Sequence, residues 1–187
     1  MSRSGSLSNL RLAILGLISL EPQSGYGLRK VFTTTPMGHF SSSPGAIYPA
    51  LKRLEEEGWI RGETEKEDSL RPRVVYSLTV EGEERLRREL TRPVTREDVI
   101  WGLDQLILRF PFLERLGPEV VLRFLRELHT EVESYIPELE AFVETAGEHL
   151  PPCARLALEH GIEGYRLEAS WARRSIDELS KLYEKGG

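Results

Sequence analysis

The sequence contains a single cysteine, Cys153, among its 187 residues. A lone thiol excludes an intramolecular disulfide, which fits a reducing compartment. No apolar run approaches the roughly 18 residues that a membrane span requires, and no small-residue cleavage pattern follows the apolar stretch near the N-terminus. We therefore expect a cytoplasmic protein that neither spans a membrane nor is secreted.

Motifs of catalysis and of cofactor binding are missing as well. The chain has neither a Gly-rich phosphate loop nor a nucleophile elbow. His149, Cys153 and His160 form a loose set whose spacing matches no standard zinc motif. We predict that the protein is not an enzyme and has no catalytic residue, metal site or cofactor. A metal-responsive regulator, or a redox-responsive one acting through Cys153, remains an alternative.

Basic residues are fewer than acidic ones, with 25 Lys and Arg against 30 Asp and Glu and a net charge of −5. This balance argues against a protein that coats nucleic acid nonspecifically. Residues 1–90 carry 13 basic and 12 acidic side chains, whereas residues 91–187 carry 12 and 18. Such asymmetry predicts two regions with different roles.

Apolar spacing predicts two helices at the start of the chain. Residues 8–20 place leucines and isoleucines three and four apart, with Ser8 as N-cap. Residues 24–33 repeat the pattern over a shorter length, with Ser24 as N-cap. Residues rich in turn formers then lead to the next helix.

The third predicted helix lies within SSSPGAIYPALKRLEEEGWI, residues 41–60. Ser43 suits the N-cap and Pro44 the first helical position. Pro49 either distorts a helix begun at Pro44 or opens one begun near Tyr48, and we favour the first. The buried side of this helix is predicted to comprise Ile47, Ala50, Leu51 and Leu54.

A hairpin and a fourth helix complete the first region. Residues 59–61 and 70–79 have the pattern of two antiparallel strands around a polar loop. A helix capped by Thr79 follows and runs through Leu90. Three helices, a two-stranded wing and a helix predict a winged helix-turn-helix domain over residues 1–92.

Residues 93–187 have an almost entirely helical pattern, so the predicted fold class is mainly α, with an all-helical dimerisation and effector domain after the winged helix. A capping box at residues 95–98 opens it, and two long stripes of apolar residues follow. The stripes fit an intramolecular bundle or a dimer, and we favour the dimer because DNA readers of this size usually cover two half-sites. The residues predicted for dimerisation are Leu103, Leu106, Ile162, Tyr165, Ala169, Ala172, Ile176 and Leu179.

The distribution of charge along the third helix predicts that it binds DNA. Soluble helices favour acids in the first turn, but here serines and Gly45 come first and Glu55, Glu56 and Glu57 come last. The N-terminal part of a recognition helix lies nearest the bases, where an acid would meet phosphate oxygens. The predicted DNA-binding residues are Ser24, Tyr26, Ser41, Ser42, Ser43, Tyr48, Lys52, Arg53, Arg71 and Arg73. A winged helix used only for protein contacts is the alternative.

Three segments resemble the PadR family of prokaryotic transcriptional regulators. They are LAILGLISLEPQSGYGLRK, SPGAIYPALKRLEEEGWI and RPRVVYSLTVEGEERL, which cover most of residues 10–90. Val74 departs from the family, which often has a basic residue at this point of the wing. The C-terminal region is similar to the helical dimerisation domain of longer members.

This resemblance implies a homodimeric repressor that binds a palindromic double-stranded DNA operator. It also implies a small aromatic or otherwise hydrophobic effector, held near the dimer interface, that releases the protein from DNA. Trp101 is the predicted ligand-binding residue, with packing in the core or dimer as its alternative role.

Overall fold

The computed structural model of the protein describes residues 7–40, 44–65, 73–146 and 149–186. Between Arg92 and Pro93 the chain divides into two compact units. No helix within those four ranges is both long enough and apolar enough to cross a membrane.

Three α-helices open the first unit: α1 (Asn9–Leu20), α2 (Gly25–Thr34) and α3 (Ile47–Glu56). Short 3-10 turns, Pro36–Phe40 and Pro44–Ala46, lie between α2 and α3. The first two helices begin where their sequence predicted, directly after a serine. Only the second serine, Ser24, makes a side-chain cap bond, accepting from the amide of Gly27 at 3.0 Å.

Helix α3 begins three residues later than the favoured prediction. Its N-cap is Ala46, and Pro44 belongs to the preceding 3-10 turn. Pro49 therefore falls in the first α-helical turn, where the amide that proline lacks would have had no partner within the helix. The alternative start near Tyr48 is the better description of the α-helix.

The wing belongs to a three-stranded antiparallel sheet rather than a two-stranded one. Its strands are β1 (Gln23–Ser24), β2 (Ile60–Glu65) and β3 (Arg73–Leu78), in the order β1–β3–β2. The sequence pattern missed β1, because two residues are too few to show the alternation of a strand.

Helix α4 (Val80–Thr91) closes the first unit. Thr79 caps it, as predicted, by accepting from the amide of Gly82 at 3.0 Å. A Cβ on Gly82 would lie 1.9 Å from the carbonyl oxygen of Trp59, so only glycine allows α4 to approach the chain so closely. The core of this unit contains Leu12, Ile14, Leu15, Leu28, Ile47, Leu51, Leu54, Ile60, Leu86 and Leu90. These elements form the predicted winged helix-turn-helix.

The second unit is helical, with α5 (Arg96–Trp101), α6 (Leu103–Arg109), α7 (Pro118–Ala146) and α8 (Pro152–Gly186) as its α-helices. The capping box is formed as predicted, since Thr95 and Asp98 bond reciprocally. The helix expected beyond it is broken at Gly102, whose amide donates to the carbonyl of Asp98 at 2.8 Å.

The two longest helices, α7 and α8, pack against each other along the apolar stripes. Val121, Phe124, Leu125, Leu128, Val132 and Ile136 of α7 are buried, as are Ile162, Ala169 and Ala172 of α8. Small residues on α8 let the two backbones come close. The protein is thus mainly α, a winged helix followed by a helical region.

Candidate nucleic-acid interface

Helix α3 has one buried face and one exposed face. Ile47, Ala50, Leu51 and Leu54 are buried, as the spacing predicted. Tyr48, Lys52 and Arg53 are exposed, and the first turn contains no acidic residue. The positive end of the helix dipole is therefore free of carboxylates, which suits the approach of a phosphate backbone.

Lys52 presents its ammonium group to solvent on this face. Its side chain is 77% exposed and its Nζ lies 3.7 Å from a carboxylate oxygen of Glu56, one turn further along. An exposed pair of this kind is weak and screened by salt. Lys52 can therefore exchange Glu56 for a phosphate or a base edge at little cost.

Tyr48 is less free than its helical position suggested. The residue is 50% exposed. A Cβ on Gly25 would lie 2.8 Å from Cε1 of Tyr48, so the tyrosine ring occupies the space that a side chain on Gly25 would need. The ring thus packs on the start of α2 while part of it remains accessible.

The start of α2 presents Tyr26, which is 69% exposed, beside the half-buried Ser24. The N-terminus of a helix can bind a phosphate through its free amides. The hydroxyl of Ser24 already accepts from the amide of Gly27, so this donor is occupied.

Two basic residues of α2, Arg29 and Lys30, escaped the sequence analysis. Both are exposed, one turn beyond Tyr26. Leu28 and Val31 lie on the inner side of this short helix. The two adjacent cations between them must therefore point outward, and this pattern would have identified them. In helix-turn-helix proteins the helix before the recognition helix crosses the DNA backbone, where such cations meet phosphates.

The wing carries paired charges. Arg73 lies opposite Glu65 in the register of β2 and β3. The Nε and Nη2 atoms of Arg73 both donate to one oxygen of Glu65, at 3.0 and 2.9 Å. On the same strand as Glu65, Arg61 and Glu63 form a second exposed pair at 3.1 Å. Arg73 is present where predicted, but a phosphate would have to compete with Glu65 for it.

Four predicted DNA-binding residues lie outside the described ranges. They are Ser41, Ser42, Ser43 and Arg71. Their contribution to DNA binding stays a prediction.

The residues predicted for dimerisation divide into two groups. Leu106, Ile162, Ala169 and Ala172 are 5% exposed or less within one chain, so they stabilise its interior and offer no surface to a partner. Leu103, Tyr165, Ile176 and Leu179 keep part of their surface, although Tyr165 also packs edge-on against Tyr135 at 5.2 Å. An apolar stripe is the same in sequence whether it faces another helix of its own chain or of a partner.

Trp101 is 82% exposed at the end of α5, so it lies in no enclosed cavity of the single chain. The core alternative is thereby removed, and its role at a ligand remains a prediction. Phe110, Phe124 and Trp171 form an aromatic cluster, in which the ring centroid of Phe110 lies 6.1 Å from that of Phe124 and 5.3 Å from that of Trp171.

A groove of about 430 Å³ lies between α7 and α8. It is lined by four glutamates, one arginine and two apolar residues: Glu140, Glu144, Glu159, Glu163, Arg166, Val143 and Ile162. This charge is poorly suited to a hydrophobic or anionic ligand.

Cys153, His149 and His160 are all exposed. Within the described ranges, no group of three or more His, Cys, Asp or Glu side chains is placed to hold a metal ion.

A winged helix-turn-helix whose third helix exposes Lys52 and Arg53 beyond a first turn without acids is the arrangement typical of DNA-binding transcriptional regulators. Residues 14–88 match the transcriptional regulator PadR-like family, and residues 104–180 match the virulence activator alpha C-terminal family. Residues 14–88 therefore carry a domain of the transcriptional regulator PadR-like family.

Individual relatives agree with this assignment. The chain is 25% identical to the negative transcriptional regulator PadR of Bacillus subtilis, over 92% of this chain and 98% of that protein. It is also 41% identical to the transcriptional regulator YqjI of Escherichia coli, over 27% of this chain and 25% of that one.

Solved structures of the family also resemble the chain. Bacillus subtilis PadR in complex with operator DNA aligns with 24% identity and a TM-score of 0.42, covering 91% of this chain and 98% of that one. A PadR-like regulator from Bacillus cereus aligns with 26% identity and a TM-score of 0.40, covering 92% and 98%.

Proposed function

We propose that this protein is a repressor that binds a palindromic operator as a homodimer. Residues 1–92 bind DNA, with α3 in the major groove, and residues 93–187 form the dimer. The observation that carries the proposal is the face of α3, where Lys52 and Arg53 are exposed beyond a first turn without acids. Repression is supported by the relative in Bacillus subtilis, a negative regulator that aligns over nearly its full length.

The exposed face of α8 supports the dimer. Leu156, Leu167 and Leu182 are 56%, 66% and 59% exposed. They are separated by 11 and 15 residues, close to three and four helical turns, so they lie on one side of the helix. Large apolar side chains aligned in this way mark a surface that a partner covers.

The first experiment is selection of binding sites from a random duplex library with the purified full-length protein. We expect an inverted repeat, because a two-fold symmetric dimer contacts two equivalent half-sites. The selected duplex is then titrated by fluorescence anisotropy at two salt concentrations, where a steep loss of affinity at higher salt reports several phosphate contacts. A single, unrepeated motif would contradict the palindromic dimer.

Release by a small hydrophobic or aromatic ligand is the effector part of the proposal. A ligand that binds one dimer geometry better than another shifts the equilibrium away from the DNA-bound form. The preformed operator complex is titrated with a panel of aromatic acids and hydrophobic compounds. The panel includes p-coumaric acid, which is bound in a structure of Bacillus subtilis PadR. We expect one class to lower operator affinity, and to do so less in a Trp101→Ala variant.

A protein-binding winged helix is the second candidate, favoured by the pairing of Arg61 and Arg73 with glutamates on the wing. It predicts weak binding to all duplexes, equal for selected and random sequences at both salt concentrations.

A further inference from the structure

Glu55 makes an unusual contact for an acid on a recognition helix. It lies in the last turn of α3, and its Oε1 accepts a hydrogen bond from the backbone amide of Gly62 at 3.0 Å. Gly62 belongs to β2, an edge strand of the sheet. An amide that points away from the sheet at an edge strand lacks a ladder partner, and here Glu55 supplies the acceptor. The bond therefore joins the recognition helix to the wing.

The space around this bond holds no side chain at Gly62 unless a neighbouring side chain moves. A Cβ on Gly62 would lie 2.7 Å from Cγ1 of Val74, 3.0 Å from Oε1 of Glu55 and 3.2 Å from Cε1 of Tyr76. Val74 and Tyr76 both belong to β3, and Tyr76 is the register partner of Gly62. Glu55, Val74 and Tyr76 thus surround the same point of β2.

The same carboxylate lies close to the side chain of Tyr76. Burial raises the pKa of the Tyr76 hydroxyl, and the nearby Glu55 carboxylate and Tyr48 side chain raise it further. Tyr48 in turn packs on Gly25 of α2. Glu55 is therefore linked by its hydrogen bond to Gly62 and by electrostatic interaction to Tyr76 of the wing, and Tyr48, which also interacts with Tyr76, packs on α2.

We propose that Glu55 is a positioning residue for DNA binding, which holds the wing in fixed orientation to the recognition helix. This inference rests on the proposed function. A carboxylate on a DNA-binding helix repels phosphates within the range of about 10 Å over which charges act at ordinary salt. Charge alone therefore predicts that removing Glu55 tightens binding to DNA, whereas positioning predicts that it weakens binding. The two effects have opposite signs.

Two substitutions distinguish the effect of the charge of Glu55 from the effect of the length of its side chain. Glu55→Gln removes the charge but keeps an oxygen that can accept from Gly62. Glu55→Asp keeps the charge but shortens the side chain by one methylene, so that it no longer reaches the amide. The control is Glu56→Gln, which removes the same charge from the neighbouring exposed residue. Glu56 forms an ion pair with Lys52. Thermal melting confirms that each variant is folded.

The first readout is affinity for the selected operator duplex, measured by fluorescence anisotropy. We expect Glu55→Asp to bind about tenfold more weakly, the effect of losing one charge-assisted hydrogen bond. Glu55→Gln should keep affinity near or above that of the unchanged protein, as should Glu56→Gln. Unchanged affinity in Glu55→Asp would show that only the charge matters and would overturn the proposal.

The second readout needs no DNA. Hydrogen exchange of the Gly62 amide should be faster in Glu55→Asp and protected in Glu55→Gln. Equal exchange in all variants would overturn the contact itself. If the unchanged protein selects no duplex, the proposed function fails and the DNA role of Glu55 fails with it, while Gly62 exchange still shows whether Glu55 holds the wing.

Discussion

At the scale of single residues, a substitution at Lys52 tests whether α3 is the recognition helix. We expect Lys52→Glu to weaken operator binding by at least about tenfold, because it replaces a cation facing the DNA by an anion. Anisotropy titration of the selected duplex measures the effect. Arg126→Glu makes the same reversal of charge at an exposed position of α7 and should leave affinity nearly unaltered. Equal affinity for Lys52→Glu and the unchanged protein would mean that another surface reads the DNA.

Glu168 on α8 provides a test of stability that is independent of DNA. Its Oε1 is shielded from solvent and has no hydrogen-bond partner among the described residues, and burial raises the pKa of the carboxyl. A raised pKa means that the folded protein holds this proton more tightly than the unfolded chain. The contribution of the Glu168 carboxyl to the free energy of unfolding therefore favours the folded state at pH values below the ordinary glutamate pKa. This contribution is lost as the pH rises through the folded-state pKa.

Glu168→Gln should consequently stabilise the protein at pH 7, by about 1 kcal/mol or less because the carboxyl is partly hydrated. The gain should vanish below about pH 4, where the native carboxyl is itself protonated. Urea unfolding at the two pH values measures it. Glu163→Gln, at an exposed position of the same helix, serves as the control, and an equal gain there would remove burial as the cause.

At the scale of secondary-structure elements, Thr79 links the start of α4 to the residues after α3 through hydrogen bonds of its side chain. Its hydroxyl accepts from the amide of Gly82 at 3.0 Å and donates to the carbonyl of Gly58 at 2.6 Å. Thr79→Ala should therefore lower the free energy of unfolding by about 1–2 kcal/mol, as for other N-cap threonines.

Thr91→Ala is the matched control at the other end of α4, where the hydroxyl only bonds back to the carbonyl of Arg87. We expect little change there, since alanine favours the helix. Similar losses for both threonines in urea unfolding would contradict a special role for the cap.

Helix boundaries show how far sequence patterns reach at this scale. Side-chain caps predicted the starts of α2, α4 and α5 correctly, because Ser24, Thr79 and Thr95 bond within their own first turn. The start of α3 was misplaced because two prolines each fit an N-terminal turn, and local rules do not choose between them.

At the scale of the whole molecule, the exposed leucines of α8 are the surface through which we propose that the chain forms a dimer. Leu167→Glu places a charge in the middle of the exposed leucines and should shift the protein to a monomer in sedimentation velocity experiments. Leu20→Glu alters a leucine that is similarly exposed, at 60%, at the end of α1, and should leave the dimer intact. Dissociation by neither variant would place the dimer contact on another surface.

Apolar periodicity and capping chemistry act over a few residues, so the order of the helices and the winged-helix class could be predicted from sequence alone. The sequence also predicted which face of α3 is buried. The role of the long apolar stripes depended on tertiary structure, because a stripe that packs within a chain and one that binds a partner have the same spacing. The contact of Glu55 with Gly62, and the packing of Tyr48 on Gly25, were equally invisible, since each joins elements whose approach is fixed only when the core closes.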